Sequence, residues 1–207
     1  MNAGIASLSL PYDALVFDLG GVIATHDNDA LLARMAARCS APGVADRITA
    51  VMRTTGIGSG REPVSALHAR LCEECGMEAD WTEFAGIWSS HLGLDPAMLD
   101  LVEGLAARRR VMLFSNTNAE HWDFLVALSG GRLARLEPYL SHELGLEKPA
   151  VEAFLAVASR AGIEPARSLF IDDVEANVEG ARRAGFEGFR FTDQAGFEQY
   201  LRAAASR

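Results

Sequence analysis

The sequence predicts an α/β fold in which helices cover both faces of a parallel sheet, with a small all-helical insert after the first strand. Short apolar runs typical of buried strands recur along the chain, at Ala14–Phe17, Val111–Phe114, Ser168–Ile171 and Phe189–Phe191. Amphipathic helical segments separate the later runs. From about residue 27 to 94, by contrast, the pattern is helical throughout and no strand is expected. Alternation of strands and helices outside this stretch predicts a doubly wound parallel sheet.

These patterns divide the chain into an α/β core, residues 1–26 and 95–207, and a helical insert, residues 27–94. Within the insert we predict helices over Ala30–Cys39, Val64–Cys75 and Trp81–His91. Aromatic residues recur at helical spacing in the last of these, and we interpret them as internal packing: Trp81, Phe84 and Trp88.

The core helices carry recognisable end signals. Asp95 is a capping residue followed by proline, and it predicts a helix running to Arg108. Thr117 and Glu120 have capping-box spacing, so the next helix is expected directly after the second core strand. Glycines end two further helices, predicted over 151–161 and 175–184.

Composition limits the classes of function. With 207 residues and 49% hydrophobic side chains, the chain can bury a sizeable core and is not disordered. A net charge of −9 disfavours nucleic acid and acidic membranes as partners. The beginning of the chain lacks the basic start of a signal peptide, and no segment approaches the ~20 apolar residues of a membrane span. Three cysteines cannot all pair with one another, so we expect a cytoplasmic protein. We expect it to be a monomer or a homodimer.

Polar residues follow three of the predicted strands. Asp18 ends the first, Ser115-Asn116 the second and Asp172-Asp173 the third. Because the carboxyl ends of parallel strands meet at one edge of a sheet, we expect these groups to converge there. Clustered carboxylates repel one another unless a cation neutralises them, and oxygen ligands of this kind suit Mg²⁺. Gly20 and Gly21 would let the backbone approach a bound anion.

With these residues, the chain resembles the haloacid dehalogenase-like hydrolases. Four segments match the motifs of that family in order and spacing, namely Asp18-Leu19-Gly20-Gly21-Val22, Ser115-Asn116, Lys148-Pro149 and Ile171-Asp172-Asp173. The resemblance extends from about residue 12 to 192 and implies a Rossmann-like core with a helical cap. It is greatest to the branch that holds sugar-phosphate phosphatases and the N-terminal phosphatase domain of soluble epoxide hydrolase.

The resemblance implies a Mg²⁺-dependent phosphatase acting on a small phosphorylated metabolite, for example a sugar phosphate. Asp18 would form an aspartyl phosphate, and Lys148 would balance its charge and that of the phosphoryl group. Asp18, the carbonyl of Gly20 and Asp173 would hold the metal, with Asp172 in or near the ligand set. The phosphoryl oxygens would be bound by Ser115 and by backbone amides of Asn116 and of the turn Leu19-Gly20-Gly21.

Gly20 departs from the family pattern, in which most phosphatases carry an aspartate that protonates the leaving oxygen. General acid–base help is worth about 10²–10⁴-fold, so its loss should slow esters with poor leaving groups. His26 or Asp27, just past the turn, are candidate substitutes.

Each candidate also has a purely structural interpretation. Asp18 could form a turn, Ser115-Asn116-Thr117 could cap a helix, as could Asp172-Asp173, and Lys148 could be a solvated charge. Three insert residues share one helix face but lack the ligands of a metal site: His68, Cys72 and Cys75. Arg53 and Arg61 flank the bend Gly56–Gly60 and could contact a substrate.

Two other functions remain open at the level of sequence. One is a metal-independent haloacid dehalogenase, in which Asp18 attacks carbon and halide leaves; the acidic pair at 172–173 argues against it, because such substrates carry a carboxylate. The other is a non-catalytic binding protein that kept the fold. The insert would determine specificity in any of these cases.

Overall fold

The computed structural model describes residues 3–206. Residues 1, 2 and 207, which the predicted core includes, lie outside the described part. The described chain forms seven strands: β1 Ala14–Phe17, β2 Ala24–His26, β3 Leu92–Leu94, β4 Arg110–Ser115, β5 Pro138–Leu140, β6 Ser168–Asp172 and β7 Glu187–Arg190. Its α-helices are α1 Ala3–Ala6, α2 Asn28–Ala36, α3 Val44–Arg53, α4 Val64–Cys75, α5 Trp81–Ser89, α6 Pro96–Ala106, α7 Ala119–Leu128, α8 Ser141–Leu144, α9 Val151–Ala161, α10 Glu175–Arg183 and α11 Gln194–Ala204.

Five of these strands make one parallel sheet in the order β5-β4-β1-β6-β7. β1 is central: Phe17 lies beside Leu113 of β4 and Ile171 of β6. The predicted doubly wound α/β class is confirmed. The core strands expected from the sequence are present, and β5 is an edge strand that the apolar pattern did not reveal, because only three residues pair there.

Both faces of the sheet are covered. Successive residues of a strand point to opposite faces, so β1 contributes alternately to two hydrophobic clusters. Leu15 and Phe17 pack with side chains of α6 and α11 on one face. Ala14 and Val16 pack with side chains of α9 and α10 on the other. An apolar run without alternation is therefore explained by burial on both sides.

Helices α2–α5 have a hydrophobic cluster of their own, centred on Met35, Leu67, Leu71 and Phe84. Phe84 and Trp88 are buried in it as predicted. Trp81 is 41% exposed, and its ring contacts those of His68 and Phe84 at the margin of the cluster. The predicted helical character of the insert agrees with these four helices. The boundaries proposed at 26/27 and 94/95 stay predictions.

One expectation for the insert was wrong. β3, within the stretch expected to lack strands, pairs antiparallel with β2, so that His26 lies opposite Leu92. Strands of three residues carry too little periodicity to be recognised, and the partners are far apart in the sequence. The pair joins the chain segments that lead into and out of the helical insert.

Helix α7 also begins differently from the prediction. The capping residue is Asn118, whose side chain accepts a hydrogen bond from the backbone N–H of His121, and the helix starts at Ala119. Thr117 is instead held by the Ser141 hydroxyl, which accepts from its backbone N–H at 2.9 Å. The capping-box spacing of Thr117 and Glu120 was therefore misleading. Asp95 caps α6 as predicted, accepting from the N–H groups of Ala97 and Met98.

Within residues 3–206, none of the helices has the length and apolar character needed to span a bilayer. The three cysteines are unpaired, with Cys75 buried and Cys72 exposed.

Candidate active site

The carboxyl ends of the central strands meet around one cavity. Asp18 directly follows β1, Ser115 ends β4 and Asp172 ends β6, and these three strands are neighbours in the sheet. The cavity has a volume of about 390 Å³ and is lined by residues of these strand ends and of the β2–β3 pair: Asp18, Leu19, Gly20, Ala24, Thr25, His26, Asn28, His91, Leu92, Ser115, Asn116, Thr117, His121, Leu125, Lys148, Asp173, Val174 and Asn177. The predicted convergence on one edge is what the structure shows.

Lys148 lies between two carboxylates. Its Nζ is 2.7 Å from Oδ1 of Asp18 and 2.7 Å from Oδ2 of Asp172. The side chains of Lys148 and Asp172 are almost completely buried, so each charge is partnered where water cannot screen it. Lys148 is thus part of the acidic cluster, as the sequence predicted, and not a solvated surface charge.

A third carboxylate completes this cluster. Oxygen atoms of Asp18, Asp172 and Asp173 lie within 4.8 Å of one another, close enough to share one cation. Carboxylate oxygens are hard ligands of the kind that Mg²⁺ prefers. Asp173 is partly exposed and lines the cavity, whereas Asp172 is fully buried behind it. The donor set therefore fits a magnesium ion.

Burial and mutual repulsion disfavour the ionised forms of the carboxylates in this cluster. Burial raises the pKa of Asp18 to about 6, Lys148 opposes this increase and the nearby Asp172 carboxylate adds to it. Burial and Asp172 likewise raise the pKa of Asp173. A divalent cation would favour the ionised forms of both and so lower both pKa values.

Asp172 positions Lys148 and is itself saturated with hydrogen bonds. Its Oδ1 accepts from the backbone N–H of Val174 at 2.8 Å, and the Asn177 amide donates to both carboxylate oxygens at 3.1 and 3.0 Å. Val174 is the N-cap residue of α10 and no side chain caps that helix, so the capping role that was the structural alternative for Asp172 is not seen. The sequence analysis did not identify Asn177. The signal that could have found it is its place in the first turn of α10, five residues after Asp172.

The lysine backbone is held equally firmly. The Asn116 side chain accepts from the N–H of Lys148 and donates to its carbonyl oxygen, both at 2.9 Å. The rings of Phe114 and Phe170 lie below the ammonium group, each with its centroid 5.4 Å from Nζ. The Asn116 side chain thus aligns two predicted motifs, which sequence order alone did not reveal.

The two glycines of the first turn have different environments. Gly21 has a φ of 73°, and a Cβ placed there would overlap the Asp173 carboxylate, so this position makes room for a candidate metal ligand. A Cβ at Gly20 would meet no atom within 4 Å. Nothing in the folded chain therefore forbids a side chain at position 20.

The two candidate substitutes for an acid at position 20 are distinguished by their contacts. Asp27 caps α2, accepting from the N–H of Ala30 at 2.9 Å. His26 is exposed and lines the cavity. Its charge acts on Asp173, where it opposes the increase in pKa that burial and Asp172 cause.

Two further histidines line the cavity and were not predicted. The His121 ring stacks on Trp88 with centroids 4.7 Å apart, and its nitrogens bond the carbonyl of Trp88 and the amide of Asn118. Burial lowers the pKa of His121 to about 4, which leaves the ring neutral. His91 packs edge-on against it. Both nitrogens of His121 are engaged, so it shapes the cavity and does not transfer protons.

The remaining insert candidates lie elsewhere. Arg53 and Arg61 are exposed and do not line the cavity beside Asp18; Arg61 donates to the hydroxyl of Ser59. His68 contacts the carbonyl of Ala79 at 2.9 Å and stacks on Phe84. Within residues 3–206 the cluster of potential metal ligands is the acidic one at Asp18.

The family model for haloacid dehalogenase-like hydrolases matches residues 12–185 of this sequence. The chain belongs to the haloacid dehalogenase-like hydrolases. The resemblance drawn from four short motifs is therefore confirmed over most of its predicted range.

Relatives of this hydrolase span nearly its whole length. One is named D-ribitol-5-phosphate phosphatase, from Bacteroides thetaiotaomicron; it is 30% identical over 202 residues, covering 90% of this chain and 95% of the relative. A HAD-like family hydrolase from Porphyromonas gingivalis is 28% identical with a TM-score of 0.80, over 92% of this chain and 98% of the other. A family enzyme from B. thetaiotaomicron, described as a magnesium complex, is 24% identical with a TM-score of 0.80, over 90% and 98%.

Proposed function

We propose that this hydrolase is a Mg²⁺-dependent phosphatase that cleaves a small phosphorylated metabolite through an aspartyl phosphate. The observation that carries the proposal is the cluster of Asp18, Asp173 and the buried pair Lys148–Asp172 at one cavity. It combines a carboxylate nucleophile, a cation for the phosphoryl charge and an oxygen site for a metal.

The metal would be held by the carboxylates of Asp18 and Asp173 and by the backbone carbonyl of Gly20. Asp172, whose oxygens are already hydrogen-bonded to Lys148 and Asn177, acts next to this set. When bound, Mg²⁺ neutralises charge between the nucleophile and the phosphate, which allows two anions to approach.

The chain's own residues then carry out the reaction. A carboxylate oxygen of Asp18 attacks phosphorus, and the bond from phosphorus to the ester oxygen breaks. Ser115 and the backbone amides of residues 19–21 and 116 bind the phosphoryl oxygens, and Lys148 balances their charge. Water next attacks phosphorus and passes a proton to His26, which replaces the proton that His26 gave to the leaving oxygen. The bond to Asp18 breaks, and inorganic phosphate leaves with the carboxylate restored.

His26 is the residue that we assign to the leaving oxygen in place of an acid at position 20. It is exposed in the cavity, whereas the Asp27 carboxylate is used as a helix cap. His26→Gln should slow an alkyl phosphate more than an aryl phosphate, whose leaving group needs no proton. Asp27→Asn, which keeps a capping side chain, is the matched control and should affect both esters equally.

The substrate that we favour is a sugar or polyol phosphate. A cavity of about 390 Å³ is in the range of small-molecule sites. The relative named D-ribitol-5-phosphate phosphatase, at 30% identity over most of both chains, supports this class. The helical insert, proposed above as residues 27–94, contributes His91, Asn28 and Leu92 to the cavity and would select among such esters.

The direct test measures phosphate release from a panel of sugar and polyol phosphates with Mg²⁺ and with a chelator. Release that depends on Mg²⁺ and disappears in Asp18→Asn supports the proposal. Halide release from a haloacid that persists in chelator would instead identify a dehalogenase. Ligand binding without any turnover, unchanged in Asp18→Asn, would identify a binding protein.

A further inference from the structure

A second cavity lies between the helical insert and the core, next to the first. It has a volume of about 230 Å³ and shares the lining residues Asn116, Thr117 and His121 with the cavity at Asp18. The insert side is formed by residues of α3, α4, α5 and the glycine-rich bend. The shared residues place the second cavity directly beside the one that contains Asp18.

Nearly all polar side chains that line this second cavity already have partners. Asn116 bonds the backbone of Lys148, Asn118 bonds His121, and His121 bonds the carbonyl of Trp88. The Thr55 hydroxyl donates to the carbonyl of Met52 at 3.0 Å, and Trp88 donates to Asn118. These groups shape the wall and have little capacity left for a ligand.

Glu147 is the exception. Its carboxylate is partly buried and lines the second cavity, yet within the described residues 3–206 it has no hydrogen-bond or ion-pair partner. Its oxygens are therefore available to accept hydrogen bonds from a ligand in the cavity. Glu147 also directly precedes Lys148, whose backbone Asn116 holds on both sides, so its own backbone position is determined.

The glycine-rich bend fits closely around this carboxylate. A Cβ at Gly58 would overlap Oε1 of Glu147, so the glycine allows the carboxylate its place. The bend is held to the core because the Ser141 hydroxyl donates to the carbonyl of Gly58. Insert and core therefore meet at the carboxylate.

We propose that Glu147 binds hydroxyl groups on the tail of the phosphorylated substrate. This rests on the proposed function. An ionised carboxylate only accepts hydrogen bonds, so it selects tails that carry donors and repels tails that carry a second anion. The proposed substrates are thereby narrowed to phosphate esters of polyols or sugars. Phosphorylated carboxylic acids are excluded. A tail carrying an ammonium group is the competing ligand for such a site.

The test compares two esters of equal chain length, ribitol 5-phosphate and pentyl phosphate. In Glu147→Gln the kcat/KM for ribitol 5-phosphate should fall about ten- to a hundredfold more than that for pentyl phosphate, mainly through KM. Glu143→Gln changes the charge equally on the exposed surface nearby, and both esters should be cleaved as before. Equal losses for the two esters in Glu147→Gln would overturn the proposal, as would a preference for 5-aminopentyl phosphate over ribitol 5-phosphate.

Binding decides the same question without turnover. In Asp18→Asn, ribitol 5-phosphate should bind more tightly than pentyl phosphate, and adding Glu147→Gln should remove most of the difference. No difference before the second substitution, or no change after it, would overturn the role of Glu147. If the unaltered protein releases phosphate from no ester of the panel, the proposed function fails, and this comparison still decides what Glu147 binds.

A substitution in the glycine-rich bend tests the position of the Glu147 carboxylate from the insert side. Gly58→Ala should displace Glu147 and weaken ribitol 5-phosphate binding, while adding little to the loss already present in Glu147→Gln. Fully additive losses would show that the two positions act separately and contradict the proposal. Thermal unfolding of the single variant separates this effect from damage to the insert.

Discussion

The two cavities differ in how their charges are satisfied. At the strand ends, Lys148 bonds both Asp18 and Asp172, while Asn177 donates to Asp172 and Asn116 holds the backbone of Lys148. In the cavity against the insert, the charged side chain is Glu147, and no described residue in 3–206 pairs with it. In the two proposals above, the first region carries out the same chemistry on any ester, whereas the second offers an acceptor that a particular substrate must satisfy. The proposals thus assign reaction and selectivity to different regions.

The strongest test of the first region is removal of its nucleophile. Asp18→Asn should reduce kcat by about 10⁴-fold or more, because the amide cannot form the acyl phosphate. Phosphate release in the presence of Mg²⁺ measures it. Glu147→Gln should retain far more activity on pentyl phosphate; losses of similar size would end the distinction between the two regions.

Removal of the Lys148 ammonium group should affect both the stability of the fold and the rate of phosphate release. Lys148→Met leaves two buried carboxylates without their partner, and we expect a loss of about 3–5 kcal/mol in the free energy of unfolding. Urea unfolding measures this change. The exposed pair Arg167–Asp13 provides the control, since Arg167→Met should leave the midpoint nearly unchanged. Similar midpoints for the two variants would contradict a role for burial.

The glycine turn should respond differently at its two positions. Gly20→Asp places a carboxyl group in open space, and we expect an increase of about tenfold in kcat for alkyl phosphates, where proton transfer limits the rate. Gly21→Ala should instead weaken Mg²⁺ binding and raise the Mg²⁺ concentration needed for activity, because the methyl group displaces Asp173 and the φ of 73° is strained. Titration of activity against Mg²⁺ distinguishes them. Equal responses would show that the turn tolerates side chains at both positions.

The wall between the cavities predicts a pH effect on stability. The pKa of His121 is lowered to about 4 by burial, so between its normal pKa of about 6.5 and 4 the unfolded chain binds a proton that the folded chain does not. Stability is therefore lost as the pH falls through this window, by at most about 3 kcal/mol from this residue. In His121→Gln the free energy of unfolding should depend less on pH between 6.5 and 4. An unchanged slope would show that other groups cause the acid sensitivity.

Several features of the core were predictable because they depend on local patterns. β1, α4 and α9 have the predicted bounds, since continuous apolar runs, helical periodicity and a following glycine are all visible within one segment. The convergence of Asp18, Ser115 and Asp172 followed from one topological rule about parallel strands. The pairing of β2 with β3 and the start of α7 at Ala119 did not follow, because each depends on contacts with distant residues.

The sequence by itself determined which reactive groups this protein carries: carboxylates at the ends of buried strands and a lysine shortly before a helix, in the order of a known hydrolase family. Only the tertiary structure decided which of these groups bond one another and which face a ligand. Asn116 on Lys148, Asn177 on Asp172, and Gly58 against Glu147 join segments 32, 5 and 89 residues apart. Side-chain contacts of this kind have no periodic signature, so they become visible only in the folded chain.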